Sequence, residues 1–302
     1  MVRHLLTILD LTSSEVIELI KRAKEIKEKK KRSDVLKDKV LLLLFEKVST
    51  RTRVSFEVAI SHLGGTSLFM SSSESQLSRN EPIKDTARVL SRYVDGIIMR
   101  TFAQKNLEEL KKYSTIPVIN ALSDKFHPCQ VLSDLLTIYE RTPDFSSLKI
   151  AWIGDGNNMA NSWINASALV PFTLYVATPK GFEPAKDVID EAKKRGARLY
   201  LTNDPVEAIK EADYVNTDVW VSMGEEDKKE KIKAFSGFQV NKELLKYASK
   251  NVKVMHCLPA HRGEEISEDV LEGDSSIVWD QAENRLHMQK AILEFIYKKE
   301  KR

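Results

Sequence analysis

Short apolar runs alternate with helical patterns along most of the chain. The apolar runs are rich in Val, Ile and Leu, and charged amphipathic stretches separate most of them. The first helix is predicted to begin at Thr12, because Thr12 and Glu15 have the spacing of a capping box, and to continue to about Lys30. Alternation of strands and helices is typical of parallel sheets with helices on both faces. The pattern therefore predicts an α/β fold.

The predicted elements fall into two halves. We expect a first domain of residues 1–142, with a last helix of about residues 281–302 packed back on it, and a second domain of residues 143–280. Each is expected to have a parallel sheet flanked by helices, and Arg141–Ser146 is the candidate hinge. The predicted strands are Val40–Phe45, Thr66–Met70, Gly96–Arg100, Pro117–Ile119, Leu148–Ile153, Thr173–Ala177, Arg198–Leu201, Asp213–Thr217, Val252–His256 and Ser276–Trp279. Further helices are predicted at Arg51–Leu63, Pro82–Val94, Pro128–Glu140, Glu183–Arg195 and Gln281–Tyr297.

Polar side chains follow several of the predicted strands at the point where each strand ends. They are the Ser49–Arg53 segment, Arg100, the Asp155–Asn158 segment, Asp218 and the pair His256-Cys257. In open α/β sheets, ligands bind outside the carboxyl ends of the strands. We therefore expect one ligand site, in a cleft between the two halves.

The Ser49–Arg53 segment is the strongest candidate for an anion site. A helix N-terminus offers unpaired N–H groups and the positive end of a dipole, both suited to phosphate. Hydroxyls and two arginines add donors to it. The alternative is an ordinary helix cap followed by solvated arginines. By contrast, Gly154-Asp155-Gly156 lacks the third glycine of a dinucleotide fingerprint, because Met159 stands there.

Composition narrows the class of partner. The formal charge is +3, from 47 basic and 44 acidic side chains, which gives no indication of nucleic acid or membrane as a partner. The run Val40–Phe45 is too short to span a bilayer, and the N-terminus has no signal-peptide pattern. Cys129 and Cys257 fit neither a disulfide nor a metal spacing, so a reduced, cytoplasmic setting is expected.

Several motifs, in order along the chain, resemble one enzyme family. Phe45–Glu57 resembles the carbamoyl-phosphate motif of the aspartate and ornithine carbamoyltransferases, and His127-Pro128-Cys129-Gln130 with Asp134–Ile138 resembles the family's second motif. Three later segments are similar to the ornithine branch of that family: Asp218–Gly224, His256–Gly263 and Ala282–His287. The resemblance runs from the first helix nearly to the last.

The resemblance implies how carbamoyl phosphate would be bound. Ser49, Thr50, Arg51 and Thr52 would hold the phosphate. Arg100, His127 and Thr52 would face the carbonyl oxygen, and Gln130 and the Leu258 carbonyl would meet the carbamoyl NH2. Arg285 would also reach this ligand, and Gln76, in the polar loop Ser71–Asn80, would be supplied to a neighbouring subunit. Without the resemblance, His127 is more often a turn or core histidine, and for Arg100 the alternative partner is a structural carboxylate.

The resemblance also implies the ornithine site. Asp218, Asn158, Ser222 and Met223 would bind ornithine, with closure of residues 221–236 over it, and Cys257 would lie beside the reacting amine. Read without the family, Asp218 could be a cap, and Cys257 could be inert or a thiolate nucleophile. The family reading has no covalent intermediate, and its geometry is easier if the Leu258–Pro259 bond is cis.

The expected activity is transfer of the carbamoyl group of carbamoyl phosphate to the side-chain amine of ornithine. The resemblance implies no metal or organic cofactor and a trimer or a multiple of trimers. Putrescine or aspartate as acceptor is the nearest alternative, although aspartate carbamoyltransferases usually carry a lysine in the Ser71–Asn80 region and Pro-Leu-Pro-Arg where this chain has Cys257–Ala260. A subunit that binds ligand without turnover is the second alternative. Use in arginine biosynthesis and use in citrulline breakdown both stay open.

Overall fold

The fold was analysed in a computed structural model, which describes residues 2–71, 81–221 and 228–298. The chain divides into two compact units. Unit 1 comprises Met1–Leu136 and Asn284–Arg302, and unit 2 comprises Thr137–Glu283. Both have a parallel sheet flanked by helices, so the predicted α/β class is confirmed.

Unit 1 is built on a four-stranded parallel sheet in the order β2-β1-β3-β4. The first strand is central and buried, as expected for a continuous apolar run. A core under the sheet includes Leu42, Leu44, Met99 and Leu107. The strands are β1 Val40–Phe45, β2 Thr66–Ser71, β3 Gly96–Arg100 and β4 Val118–Leu122; the helices are α1 Ser13–Glu28, α2 Thr50–His62, α3 Ile83–Leu90, α4 Gln104–Tyr113 and α5 Pro128–Tyr139, after a 3-10 turn at Ile8–Asp10.

Unit 2 has a five-stranded parallel sheet in the order β7-β6-β5-β8-β9. Its core brings together Ile153, Val215, Trp220 and Phe235. The strands are β5 Lys149–Ile153, β6 Thr173–Ala177, β7 Arg198–Thr202, β8 Tyr214–Thr217 and β9 Lys253–His256; the helices are α6 Asn158–Ser167, α7 Lys186–Lys194, α8 Pro205–Ile209, α9 Lys228–Ala234, α10 Lys242–Leu245 and α11 Glu268–Leu271. The last helix, α12 Val278–Tyr297, begins in unit 2 and continues into unit 1 from Asn284.

The last helix packs on unit 1, as predicted. Arg22 Nε donates to Glu294 at 2.6 Å, Lys27 Nζ donates to Asn284 at 2.8 Å, and the Tyr297 hydroxyl donates to the Asp95 carbonyl at 2.9 Å. These bonds join α12 to α1 and to the turn before β3.

The predicted strand at Ser276–Trp279 is wrong. Only an isolated bridge between Ser276 and Val254 forms there, and α12 already begins at Val278. Val278 and Gln281 are buried while Trp279 is 57% exposed, which is helical spacing. A short apolar run such as Ile277-Val278-Trp279 does not distinguish a strand from the start of a helix.

Both sheets have a point at which the strand order reverses. In unit 1 it lies between β1 and β3, where Phe45 pairs with Arg100. In unit 2 it lies between β5 and β8, which end at Ile153 and Thr217. Ligands of open α/β sheets bind at such points. Within the described ranges, the helices are all too short or too polar to cross a membrane.

Candidate functional site

The segment after β1 forms the N-terminus of α2. Ser49 has extended backbone angles, and its hydroxyl accepts a hydrogen bond from the Thr52 N–H at 3.2 Å. The Arg51 side chain is exposed, whereas Thr52 is buried. Arg53 lies over the Phe69 ring, 3.7 Å from its centroid, and is therefore engaged within unit 1. The first turn of α2 thus combines a capped helix end with an exposed guanidinium.

Arg100 and His127 follow the neighbouring strands β3 and β4. Arg100 is the last residue of β3, and His127 directly precedes α5. Burial lowers the pKa of His127 well below its ordinary value of 6.5, and the positive charges of Arg285 and Arg100 lower it further. His127 is 4% exposed. Its imidazole is consequently neutral near pH 7.

Arg285 connects three parts of unit 1 that are distant in sequence. Its guanidinium donates to Oε1, the side-chain amide oxygen of Gln130, and, at 3.3 Å, to the Thr52 hydroxyl. Gln130 Nε2 donates to Asp134 Oδ1 at 2.8 Å, which fixes the orientation of the amide. Thr52, Gln130 and Arg285 are all buried. The start of α2, α5 and α12 therefore meet in one hydrogen-bonded cluster.

In unit 2, Asn157, Asp218 and Cys257 form a second cluster. Asn157 caps α6 through its Oδ1 and donates from Nδ2 to Asp218 Oδ2 at 3.1 Å. The Cys257 thiol donates to Asp218 Oδ1 at 3.0 Å, and the Val219 N–H donates to the same oxygen at 2.8 Å. Asn158 is the first residue of α6. A carboxylate, a thiol and a helix N-terminus thus stand together after β5, β8 and β9.

The turn that carries Cys257 and Leu258 is fixed by a buried pair beneath it. The Leu258 N–H donates to His256 Nδ1 at 2.8 Å, so the proton of the neutral ring is on Nε2, which lies 3.0 Å from Glu265 Oε1. The His261 N–H donates to the same Glu265 oxygen at 2.6 Å. The Leu258–Pro259 bond is cis, as predicted, and Leu258 has φ 58°. The turn is therefore held at both ends.

The two cysteines have different surroundings. Cys129 is fully buried, and burial raises the pKa of its thiol to about 12. Cys257 is partly exposed. Among the described residues, Asp218, His256 and Cys257 bring three possible metal-ligand atoms within 4.8 Å of one another, but these groups already bond to each other or to Glu265.

Three predicted site residues lie outside the described residues: Gln76, Ser222 and Met223. The structure also adds contacts that motif reading did not provide. Asn157 bonds to Asp218, and Glu265 supports His256. The position of Asn157 directly before α6 was a sequence signal for an N-cap, and it could have drawn attention to Asn157. No local pattern indicated the contact between Glu265 and His256.

Comparison with known proteins agrees with this arrangement. Residues 3–140 match the family model described as aspartate/ornithine carbamoyltransferase, carbamoyl-P binding domain, and residues 146–296 match the Asp/Orn binding domain of that family. An ornithine carbamoyltransferase from Oleidesulfovibrio alaskensis is 56% identical over 297 residues, covering 98% of this chain and 99% of that protein. One from Archaeoglobus fulgidus is 54% identical, covering 96% of each. The solved ornithine carbamoyltransferase of Pyrococcus furiosus superposes with a TM-score of 0.92 at 48% identity, covering 97% of this chain and 96% of that one. The chain therefore belongs to the aspartate/ornithine carbamoyltransferase family.

Proposed function

We propose that this chain is an ornithine carbamoyltransferase. It transfers the carbamoyl group of carbamoyl phosphate to the side-chain amine of L-ornithine, and the products are L-citrulline and phosphate. The observation that carries this proposal is the buried cluster in which Arg285 bonds to both Gln130 and Thr52 at the start of α2. It places cationic and amide groups beside a helix N-terminus, which suits a small phosphorylated carbonyl compound.

In this proposal most of the groups that bind carbamoyl phosphate belong to unit 1. The N–H groups of the first turn of α2, with Ser49, Thr50, Arg51 and Thr52, hold the phosphate dianion. Arg100 and the neutral His127 donate to the carbonyl oxygen, where negative charge develops during attack. Gln130, whose amide is oriented by Asp134 and Arg285, and Leu258 through its carbonyl oxygen meet the carbamoyl NH2.

Ornithine is bound by Asp218 and Asn158, with Ser222 and Met223. The amine attacks only as the neutral base, so the bound ammonium gives up one proton before it reacts. Asp218, already bonded to the Cys257 thiol, attracts the ammonium form, accepts that proton and holds the thiol beside the reacting nitrogen. As the C–N bond forms and the C–O bond to phosphate breaks, the second proton of the nitrogen leaves with the phosphate. Transfer requires contact between the amine and the carbonyl carbon, so both ligands are bound at once.

The reaction is direct amine attack, and Cys257 is not an acylated intermediate. Its sulfur donates to a carboxylate at 3.0 Å, an arrangement that disfavours the thiolate a nucleophile needs. The alternative acceptors are putrescine and aspartate. Relatives that are 50–56% identical and carry the name ornithine carbamoyltransferase favour ornithine.

We further propose a cytoplasmic homotrimer, or a multiple of it, that serves arginine biosynthesis and completes each site with Gln76 of a neighbouring copy. Exposed apolar side chains on unit 1 support association. Val48, Val54 and Leu68 are 77%, 51% and 49% exposed, and Leu68 lies on the edge strand β2. Sedimentation velocity on the purified protein tests this assembly, and a monomer at micromolar concentration would contradict it.

The test of the activity is citrulline formation. The purified chain is incubated with carbamoyl phosphate and ornithine, putrescine or aspartate in turn, and carbamoylated product and phosphate are both measured. We expect equal amounts of citrulline and phosphate with ornithine and little product with the other amines. Equal rates with putrescine and ornithine would overturn the acceptor assignment. Absence of turnover in the presence of tight carbamoyl-phosphate binding would favour the subunit that binds without catalysis.

A further inference from the structure

A buried ion pair in unit 2 has no role in the mechanism described above. Lys231 Nζ lies 2.8 Å from Asp155 Oδ2, and the two side chains are only 11% and 10% exposed. Removing two charges from water costs free energy that their attraction repays only with good geometry, so such a pair is a weak source of net stability. Fixing a local geometry is the better explanation for its presence.

Asp155 belongs to the segment that connects β5 to α6. Its carbonyl accepts a hydrogen bond from Trp152 Nε1 at 2.9 Å, and the next N–H, of Gly156, donates to the Phe182 carbonyl at 2.9 Å. A Cβ atom on Gly156 would lie 2.3 Å from Pro184 N, so this backbone packs closely against residues 182–184. The backbone of this segment is therefore packed closely against its neighbours, and the Asp155 carboxylate is the point at which Lys231 contacts it.

That following residue is Asn157. It caps α6 and donates to Asp218, which in turn accepts from Cys257. The ion pair is thus two residues from a side chain that holds Asp218. The cation of the ion pair, Lys231, lies on α9. Its ammonium is 5.6 Å and 6.0 Å from the ring centroids of Phe182 and Phe235. The lysine is held over aromatic faces with its charge on Asp155.

We propose that Lys231 is a positioning residue for the amino-acid substrate. Its ion pair with Asp155 fixes the start of α6, so that Asn157 keeps Asp218 in place to receive the substrate amine. It also neutralises Asp155, which leaves Asp218 as the carboxylate that attracts a cationic ligand. This inference rests on the proposed function, because that function assigns Asp218 to ornithine.

The test combines four variants with steady-state kinetics on the full chain. Lys231→Met removes the charge but keeps the length of the side chain, and Asp155→Asn removes the partner. The double variant removes both charges, and Lys231→Arg keeps the positive charge. Lys242→Met is the matched control, because Lys242 pairs with Asp269 at 3.1 Å on the surface of the same unit and is 67% exposed. Citrulline formation is measured with each substrate varied in turn, and thermal unfolding is followed in parallel.

We expect Lys231→Met to raise the KM for ornithine about tenfold, with the KM for carbamoyl phosphate within about twofold of wild type, since buried charge pairs couple by roughly that factor or more. The double variant should be less impaired than Lys231→Met, because it no longer carries an uncompensated Asp155 carboxylate, but its ornithine KM should still be raised above wild type because the pair that fixes the start of α6 is gone. Lys231→Arg and the Lys242→Met control should stay close to wild type.

An unchanged ornithine KM in a folded Lys231→Met protein overturns the proposal. So does a parallel loss for both substrates that follows the loss of thermal stability, or strict additivity in the double variant. If Lys231→Met does not fold, the uncharged double variant decides the question, and a wild-type ornithine KM in it overturns the proposal. Failure of the wild-type protein to make citrulline would instead refute the proposed function, and it is seen before any variant is compared.

Discussion

Replacing Arg285 with Met tests the unit 1 cluster most directly. The substitution keeps the buried volume roughly constant but removes the donors to Gln130 and Thr52. A hydrogen bond from a charged group contributes about 1.5–3 kcal/mol. The bond to Thr52 is long at 3.3 Å, so we take the low end for each of the two, or about 3 kcal/mol. These bonds join protein groups to each other, so their energy is the upper limit on what the lost orientation of Gln130 and Thr52 costs catalysis. Because 1.36 kcal/mol is a factor of ten, kcat/KM for carbamoyl phosphate should fall by up to about a hundredfold.

The assay is phosphate release at saturating ornithine with carbamoyl phosphate varied. Arg285→Lys keeps the positive charge but cannot donate to Gln130 and Thr52 at once with the planar geometry of a guanidinium, so kcat/KM should fall about tenfold. Arg22→Met is the control. Arg22, on α1, pairs with Glu294 of α12, the helix that also carries Arg285, so its loss should lower stability without changing kcat/KM for carbamoyl phosphate. In parallel, NMR titration should show the pKa of His127 rising when the Arg285 charge is removed. An unchanged kcat/KM for carbamoyl phosphate in Arg285→Met would refute the reasoning.

Three further predictions concern groups of known environment. Iodoacetamide at pH 8 should label Cys257, which is partly exposed, well before Cys129, because burial raises the pKa of the Cys129 thiol to about 12. Peptide mass spectrometry measures the labelled fraction of each cysteine, and equal labelling of the two would contradict the prediction. The folded pKa of His127 is lowered below 6.5, so as the pH falls the unfolded chain binds a proton that the folded chain does not. The contribution of this histidine to stability is therefore complete above pH 6.5 and is lost as pH falls. The free energy of unfolding, measured by urea titration, should differ less between pH 7 and pH 5 in His127→Gln than in wild type. Gly156→Ala places a Cβ 2.3 Å from backbone atoms and should cost about 1–3 kcal/mol in urea unfolding, whereas an unshifted midpoint would show that the segment is free to move.

Local patterns in the sequence were sufficient for most of the strands and for several of the helices. The capping box at Thr12 is present, and the run Val40–Phe45 is a buried central strand. Each of these depends on residues within a few positions of one another. The tenth predicted strand, Ser276–Trp279, failed because its three apolar residues also fit the first turn of a helix. Its pairing is decided by tertiary contacts that the local pattern does not contain.

The contacts inside the candidate site could not be predicted in this way. Arg285 and Gln130 are 155 residues apart, and Lys231 and Asp155 are 76 apart. The partner of a buried charge depends on which strands are neighbours, and strand order is not encoded in any local pattern. The sequence therefore predicted which polar residues follow the strands, but it did not predict which of them pair with each other.

The strand order explains why polar residues so far apart in sequence belong together. In each sheet the order reverses beside the first strand of the unit, β1 or β5, so the connections after neighbouring strands leave on opposite faces and open a gap at the carboxyl edge. In unit 1 the segment after β1 begins α2, and Arg100 ends the adjacent β3. In unit 2 the segment after β5 begins α6, and Asp218 follows the adjacent β8. Both units thus present a helix N-terminus beside a charged side chain at the reversal point. In unit 1 that side chain is an arginine, which suits a phosphate, and in unit 2 it is an aspartate, which suits an ammonium. The same topology therefore accounts for two ligands of opposite charge.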